Sequence, residues 1–265
     1  MLMSKPIKIS IITVCYNSVK TIHETLQSVA SQRYPHVEYI IIDGGSTDGT
    51  QDVVKKFSQY VALFISEPDK GIYDAMNKGI AKATGDVVGL LNADDLYANI
   101  DVLTTVADAF NDQKLDACYS DLIYFAEGAP DKVIRYWRSN PFKKGLFAKG
   151  WCPAHPTFFV RRHLYERYGV FDISFKGGND VELMMRFLEK HHIQTRYLPE
   201  VMVKMRLGGV SNNSIKGIIE QNRQILHAAK KLGIAISPLS FFIHKVLSRL
   251  NQWITKPKRD VLHVK

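Results

Sequence analysis

Asp94 and Asp95 are adjacent carboxylates that follow the apolar run Val87 to Leu91 (VVGLL) after only Asn92 and Ala93. Two such groups at the end of a buried strand repel one another and lose hydration, and without compensation one of them takes up a proton. A divalent cation removes that penalty, and hard oxygen ligands select Mg2+ or Mn2+. An Asp-Asp pair before a loop also serves as a turn or a helix N-cap, so the pair alone does not decide. A second polar segment, Asp43-Gly44-Gly45-Ser46-Thr47-Asp48-Gly49-Thr50, is a glycine-rich turn after an apolar run. It lets backbone approach a ligand closely, and Asp43 can accept hydrogen bonds from a base or ribose. It is neither a G-x-x-x-x-G-K-[ST] phosphate loop nor a G-x-G-x-x-G fingerprint. A plain strand-to-helix connection accounts for the glycines but not for the flanking acids.

The elements that must hold these residues are legible in the hydrophobic pattern. Ile7 to Tyr16 (IKISIITVCY) is a β-branched run that reads as a buried strand. After the Asn17-Ser18 turn, Ile22, Leu26, Val29 and Ala30 recur at helical spacing. Val37 to Asp43 is a second strand, and Thr47 or Asp48 can cap a helix carrying Val53, Val54 and Phe57. Leu63 to Ser66 reads as a short third strand, Ile72 to Ala83 as a helix, Val87 to Leu91 as a fourth strand and Val102 to Phe110 as a helix. Repeated βα units predict a mostly parallel sheet covered on both faces by helices. Ligands of such sheets bind outside the carboxyl ends of the strands. Asn17, Asp43, Asp69 and the Asp94-Asp95 pair follow the four strand ends, which makes them one crevice. From about Ala117 the regularity loosens into short strands, aromatics and loops. Val181 to Leu188 reads as a helix, Val201 to Leu207 as a strand and Ile215 to Leu232 as a surface helix.

Bulk composition narrows the classes. The 265 residues are 46% hydrophobic and 11% aromatic, which suits one large or two small globular domains and excludes a disordered chain. A formal charge of +9 points toward a polyanionic partner: nucleic acid, anionic lipid or a phosphorylated substrate. The basic residues are dispersed and acids crowd the expected crevice, which argues against nucleic acid. Cys15, Cys118 and Cys152 are odd in number and widely spaced, which fits neither a disulfide framework nor a structural zinc site and suits a reducing compartment. The N-terminus has no leader-like pattern and no stretch approaches the roughly 20 apolar residues of a bilayer span, so a cytoplasmic protein with at most peripheral membrane contact is expected.

The runs SIITVCYN, VEYIIIDGGSTDGT, EPDKGIYDAMNKGIAKATGDVVGLLNADD and GGNDVELMMRFLEK strongly resemble family 2 inverting glycosyltransferases of the GT-A fold. The resemblance spans approximately the first 210 residues in consistent order. Within it, GIYDAMNKG and the later GGVS resemble bacterial enzymes that build O-antigen, capsule or exopolysaccharide. The implied fold is α/β, a mixed, mostly parallel central sheet flanked by helices. Residues 1–212 are then the catalytic domain, with 1–115 the nucleotide-sugar half and 116–212 the acceptor side, followed by C-terminal helices over 213–265. The resemblance implies that Thr13, Tyr16 and Asn17 line the nucleoside pocket and that Asp43 binds base or ribose. It implies that Asp69 and Asp74 contact nucleotide or donor sugar, that Asp94 holds ribose or sugar and that Asp95 coordinates Mn2+ or Mg2+. Asp180 takes the position of the catalytic base, although Asn179 replaces the first residue of the usual acidic pair; Glu182 is a weaker rival, and an N-cap is the ordinary alternative for Asp180. Trp151 and His155 fall where acceptor-side loops meet the donor site, against core packing as the plainer role. Arg206, just before Gly208-Gly209-Val210-Ser211, can close over the diphosphate or simply lie exposed beside a turn. The implied partners are a UDP-sugar, with GDP-sugar as the alternative, and a polyprenyl-diphosphate-linked saccharide acceptor.

Transfer of this kind develops positive charge at the anomeric carbon and negative charge on the leaving diphosphate, so a metal behind the leaving group and a carboxylate at the acceptor hydroxyl suit it without the family. A sugar nucleotidylyltransferase would carry a glycine-rich, arginine-bearing loop where this chain has Tyr16-Asn17-Ser18. A polymerising synthase would carry membrane spans and a Q-x-x-R-W motif. A non-catalytic nucleotide-binding scaffold would not need Asp94, Asp95 and Asp180 together. Finally, Leu239, Phe242, Ile243, Val246, Leu247, Leu250, Trp253 and Ile254 recur at helical spacing, with Lys256, Lys258 and Arg259 beyond. That amphipathic helix either docks on the core or another subunit, or lies on an anionic membrane.

Overall fold

β1 (Ile9–Cys15) is ISIITVC with every residue buried, the pattern of a strand covered on both faces. In the computed structural model, which describes residues 5–126, 128–207, 215–255 and 257, β1 pairs in parallel with β2 (Val37–Asp43) and β4 (Val87–Leu90), and β2 with β3 (Leu63–Ser66). Alternate side chains feed two cores. Ile9, Ile11, Tyr39 and Ile41 meet α1 (Ile22–Ala30) and α4 (Val102–Phe110) on one face. Ile12, Val14, Ile40 and Ile42 meet α3 (Ile72–Lys82) on the other. Between β2 and β3 runs α2 (Thr50–Lys55), shorter than its apolar spacing predicts because Phe57 already lies past its end.

Nine strands form one sheet in the order β3-β2-β1-β4-β8-β6-β9-β5, with β7 beside β6. Here β5 is Asp95–Tyr97, β6 Ala117–Ala126, β7 Ala129–Trp137, β8 Phe159–Arg161 and β9 Thr195–Arg206. The β6–β9 pair is parallel, while β4–β8, β6–β8, β6–β7 and β5–β9 are antiparallel. The mixed α/β architecture agrees with the expectation. The expectation of short strands after Ala117 does not hold, since β6 has 10 residues and β9 has 12. Opposite Ser120 and Asp121, whose partners are Leu198 and Val201, Pro199 and Glu200 bulge out of the ladder. A proline that normally argues against a strand is accommodated in that bulge.

α5 (His163–Tyr168) follows β8, and α6 (Asn179–Met184) widens into a π-helical stretch over Met185–Lys190. α7 (Ile215–Lys231) is more than a surface helix: Asn222, Ile225, Ala228 and Ala229 are buried. α8 (Pro238–Ile254) docks through Phe241 and Gln252, and Gln252 Oε1 accepts from Arg135 Nε at 2.7 Å. Its remaining large apolar residues stay exposed, from Phe242 at 38% to Ile254 at 79%. Among the described residues, no helix is long and apolar enough to cross a membrane.

Gly178 joins α7 to the start of α6. Its φ is +70°, and a Cβ there would lie 2.7 Å from Ile225 Cγ1. Gly178→Ala therefore adds left-handed strain to an overpacked contact and should lower unfolding free energy by about 1–3 kcal/mol. Urea denaturation checks this; an unchanged midpoint would show that α7 does not press on the α6 N-terminus.

Candidate active site

The loops after β1 and β2 are tied to each other. Asn17, in a left-handed conformation at φ +48°, donates its N–H to Ser46 Oγ at 2.8 Å and accepts from Thr47 N–H at 3.0 Å. Ser18 N–H donates to Thr50 Oγ1 at 2.7 Å and Val19 N–H to Asp48 Oδ2 at 3.0 Å. Asp48 Oδ1 also accepts from Thr50 N–H at 3.0 Å, so Asp48 closes the entry to α2 while Gly49 holds the cap position. Tyr16 projects 64% exposed at the end of β1. Gly44 lies beneath it, and a Cβ on Gly44 would meet Asp69 Oδ2 at 2.5 Å and Tyr16 Cδ2 at 3.3 Å. Tyr16, Gly44 and Asp69 thus converge. Asp69 Oδ1 accepts from Gly71 N–H at 2.7 Å and Asp74 Oδ2 from Lys70 N–H at 3.0 Å, which shapes the turn into α3.

Two expected pocket residues face inward instead. Thr13 is fully buried, and its hydroxyl bonds Tyr39 Oη at 3.0 Å. Asp43 is also fully buried. Its Oδ2 accepts from Ser46 N–H at 3.0 Å and Ser66 Oγ at 2.6 Å, and its Oδ1 accepts from Ser46 Oγ and, at 3.5 Å, Cys15 Sγ. The register explains this, because Ser66 is the β3 partner of Asp43. In this conformation Asp43 organises the glycine-rich turn and offers no oxygen to a base.

The Asp94-Asp95 pair lies where β4 gives way to β5. Asp95 N–H closes a turn onto Asn92 O at 3.1 Å, and Thr25 Oγ1 on α1 donates to Asp95 O at 2.9 Å. Asp95 is fully buried. Its Oδ2 accepts from Asn92 Nδ2 at 3.2 Å, whereas Asp95 Oδ1 and Asn92 Oδ1, both buried, have no hydrogen-bond partner among the described residues. Burial, then the charge of Asp94, pushes Asp95 well above the usual carboxylate range, with Asn92 and Arg206 pulling the other way. Burial also raises Asp94, opposed by Arg206. The β5–β9 ladder pairs Asp95 with Met205 and so sets Arg206 opposite Asp94. Arg206 is not exposed as one reading expected: its side chain is 11% accessible, pairs with Glu24 at 2.9 Å and lies over Phe125 at 5.1 Å. Its buried Nε has no partner among the described residues. The Gly208–Ser211 loop expected to close with it lies outside the described residues.

Unpartnered acceptors on Asp95 and Asn92 and an unpartnered donor on Arg206 therefore belong to one electrostatically linked group. Burying a carboxylate costs several kcal/mol unless the charge is met, and the oxygen set of Asp95, Asp94 and Asn92 suits a hard divalent cation. No cluster of three or more His, Cys, Asp or Glu occurs among the described residues.

Asp180 belongs to the first turn of α6, whose cap position is Gly178, so it is not an N-cap. Tyr73 Oη donates to Asp180 Oδ1 at 3.3 Å, which joins the α6 N-terminus to α3 beside Asp74. Glu182 is 5% accessible and holds Arg186 through two contacts, Nε at 3.0 Å and Nη2 at 2.8 Å, so both of its carboxylate oxygens are engaged within the helix. Asn179 is structural, its Nδ2 donating to Asp172 O at 2.8 Å and Phe175 O at 3.1 Å. His155 packs edge-on to Phe171 at 5.5 Å; burial lowers its pKa while Asp180 raises it. Trp151 packs against Tyr119, Phe142 and Phe147 at 6.0, 5.9 and 5.7 Å, so its main contacts are with the aromatic core. Tyr73, Asn92, Ser46 and Ser66 carry contacts that spacing alone did not assign. Tyr73 had a signal, standing directly before Asp74 in the GIYDAMNKG run.

Comparison with known proteins agrees with this architecture. The family model for glycosyl transferase family 2 matches residues 10–169. An uncharacterized glycosyltransferase of Mycobacterium tuberculosis is 33% identical over 67% of this chain and 68% of its own. A PGL/p-HBAD biosynthesis glycosyltransferase of Mycobacterium bovis is 29% identical over 78% of this chain and 80% of its own. Among solved structures, S. aureus TarS 1–349 with UDP-GlcNAc superposes at TM-score 0.65, with 20% identity over 92% of this chain and 72% of that one. The mannosyltransferase PcManGT of Pyrobaculum calidifontis, in complex with GDP-Man and Mn2+, gives 0.64 with 21% identity over 95% and 70%. The fold is that of a GT-A glycosyltransferase, and the chain belongs to glycosyl transferase family 2.

A carboxylate whose folded pKa is raised stabilises the fold below its ordinary pKa and loses that contribution as pH rises through the folded value. Asp95→Asn removes the buried charge, so in metal-free protein it should raise Tm at pH 8, and the gain should shrink toward pH 5. A pH-independent or negative effect would mean that the charge on Asp95 is already compensated.

Proposed function

We propose that the protein transfers a single sugar from a nucleoside-diphosphate sugar, UDP-linked by preference, to a hydroxyl of a lipid-linked saccharide, with inversion at the anomeric carbon. The observation that carries this reading is that Asp95 Oδ1 and Asn92 Oδ1 are buried acceptors without donors, while Arg206, whose buried Nε is a donor without an acceptor, acts electrostatically on both Asp94 and Asp95. A cation and the diphosphate it accompanies satisfy both sets at once. Asp95, with Asp94 beside it, would hold Mn2+ or Mg2+, which supplies charge neutralisation for the leaving diphosphate.

The chain's own residues do the rest. Tyr16 offers a ring face to the base, and Asn17 fixes the two loops that frame it. Asp69 and Asp74 shape the wall toward the donor sugar, and Asp94 faces ribose or sugar. Asp43 acts by holding the glycine-rich turn. Arg206 supplies positive charge to the diphosphate from a position fixed by Phe125 and Glu24. Asp180, steadied by Tyr73, accepts the proton of the acceptor hydroxyl. That oxygen bonds to the anomeric carbon as the bond to the nucleoside diphosphate breaks. His155 stands beside Asp180 on the acceptor side, and Trp151 backs that wall.

The names of the neighbours support the donor class, since their complexes hold UDP-GlcNAc and GDP-Man. The outer apolar strip of α8, Leu239, Ile243, Leu247 and Ile254, lies on a helix that has no acidic residue and is followed in sequence by Lys256, Lys258 and Arg259, which supports peripheral contact with an anionic membrane, where a lipid-linked acceptor resides. The free cysteines suit a cytoplasmic setting.

Incubation with UDP-, GDP- and dTDP-sugars plus Mn2+, with detection of released nucleotide, tests the donor assignment. UDP-sugar turnover is expected, and turnover of GDP-sugars alone would overturn the preference. Asp180→Asn should lower transfer by about 10^2–10^4-fold while nucleotide titration gives unchanged donor affinity. A fully active Asn variant would remove Asp180 from the base role.

A further inference from the structure

α7 and α8 do not close completely against one another. Between them runs an open groove of about 230 Å³, walled by Ile218 from α7 and by Phe242, Val246, Leu250 and Trp253 from α8. The four α8 residues are 38–57% exposed, an apolar strip that the described residues leave uncovered. The groove is smaller and more open than a typical whole-ligand pocket, so it suits a segment of chain.

Two cations line the same groove. Lys245 is half-buried and donates to Asn222 Oδ1 at 2.6 Å. Arg249 is half-buried and has no hydrogen-bond or ion-pair partner among the described residues. Burial first, and then the nearby Arg249, disfavour charge on Lys245, with Cys152 and Asp180 opposing; an anion in the groove relieves that tension. Both also act on the Cys152 thiol, and Asp180 acts on both Cys152 and Lys245. Arg249 further reaches Tyr124 and Arg135. Lys245 also lines a narrow gap with Gly150, Cys152 and Val181, so the Lys245–Arg249 edge of the groove faces the protein, away from the outer strip of Leu239, Ile243, Leu247 and Ile254.

We infer that this groove binds the lipid end of the acceptor: an apolar chain along Phe242, Val246, Leu250 and Trp253, with a phosphate or diphosphate head paired to Arg249 and Lys245. The inference rests on the proposed lipid-linked acceptor and names where such a molecule is held. A bilayer would engage the outer strip and would have no use for a recessed arginine. A single amphiphile accounts for both the apolar wall and the inward cations, and its saccharide then extends toward Asp180.

The test uses the full chain without donor, titrated with farnesyl diphosphate and followed by tryptophan fluorescence, with Trp253→Phe identifying the groove signal. Saturable binding is expected, weakened at least about tenfold by Arg249→Gln, as loss of a charge-assisted contact requires. Val246→Glu, on an exposed position, provides a second variant, and Tm verifies that both fold. Farnesol and inorganic diphosphate should each bind more weakly than the joined molecule. Wild-type affinity in both variants, equal binding of farnesol, or a response only to phosphatidylglycerol vesicles would overturn the groove. Failure of the two readings is distinguishable. If farnesyl diphosphate binds as described but no lipid-linked saccharide is glycosylated, the acceptor class is wrong. If a lipid-linked saccharide is glycosylated with unchanged KM in Arg249→Gln, the groove is wrong.

Discussion

The structure depends on one unresolved electrostatic debt: the buried, half-satisfied carboxylate of Asp95. It is fixed on every side by ordinary structure, through the Asn92 turn, the Thr25 hydroxyl on α1 and the β5–β9 ladder. None of these donates to Oδ1. A chain selected for stability alone would place an amide or an apolar residue there, because an uncompensated buried charge is among the costliest features a fold can carry. The same ladder brings Arg206 beside Asp94, so charge of both signs is concentrated where β4, β5 and β9 meet. The first strands, the tied loops over Asn17 to Thr50 and the aromatic support under Arg206 all serve to hold that point still.

How much of this was legible in the sequence varied with distance along the chain. β1, β2 and β4 are largely apolar runs buried on both faces and β3 is a short, half-buried edge strand; all four were readable together with the crevice at their ends. β6 and β9 were not, because Ser120 and Asp121 interrupt the apolar pattern of one and Pro199 that of the other, and only the bulge between them reconciles these residues with a ladder. Asp94, Asp95 and Asp69 could be assigned to strand ends from the pattern alone, whereas Asp74, in the first turn of α3, was assigned only through the family resemblance. Thr13 and Asp43 could not be judged that way. A strand covered on both faces gives no alternation from which to read inward from outward, and the donors that saturate Asp43 come from Ser46 and from Ser66 on a different strand. The environment of Arg206 depends on cross-strand register, which no local spacing encodes.

The C-terminal helices illustrate a choice that sequence leaves open and packing resolves in two directions. Helical periodicity in α8 is satisfied by docking Phe241 and Gln252 while the larger part of the apolar surface still faces out. Gly150, at φ +66°, permits the close approach, since a Cβ there would lie 2.9 Å from Lys245 Cβ. α8 is therefore both a structural clamp and an exposed surface.

The central claim is that Asp95 waits for a cation delivered with a diphosphate. Calorimetric titration of Mn2+ into the protein, with and without UDP, measures this most directly. The account predicts weak Mn2+ binding alone, clear tightening with UDP, and loss of that tightening in Asp95→Asn. Equal Mn2+ affinity in Asp95→Asn and wild type, with UDP present, would contradict it.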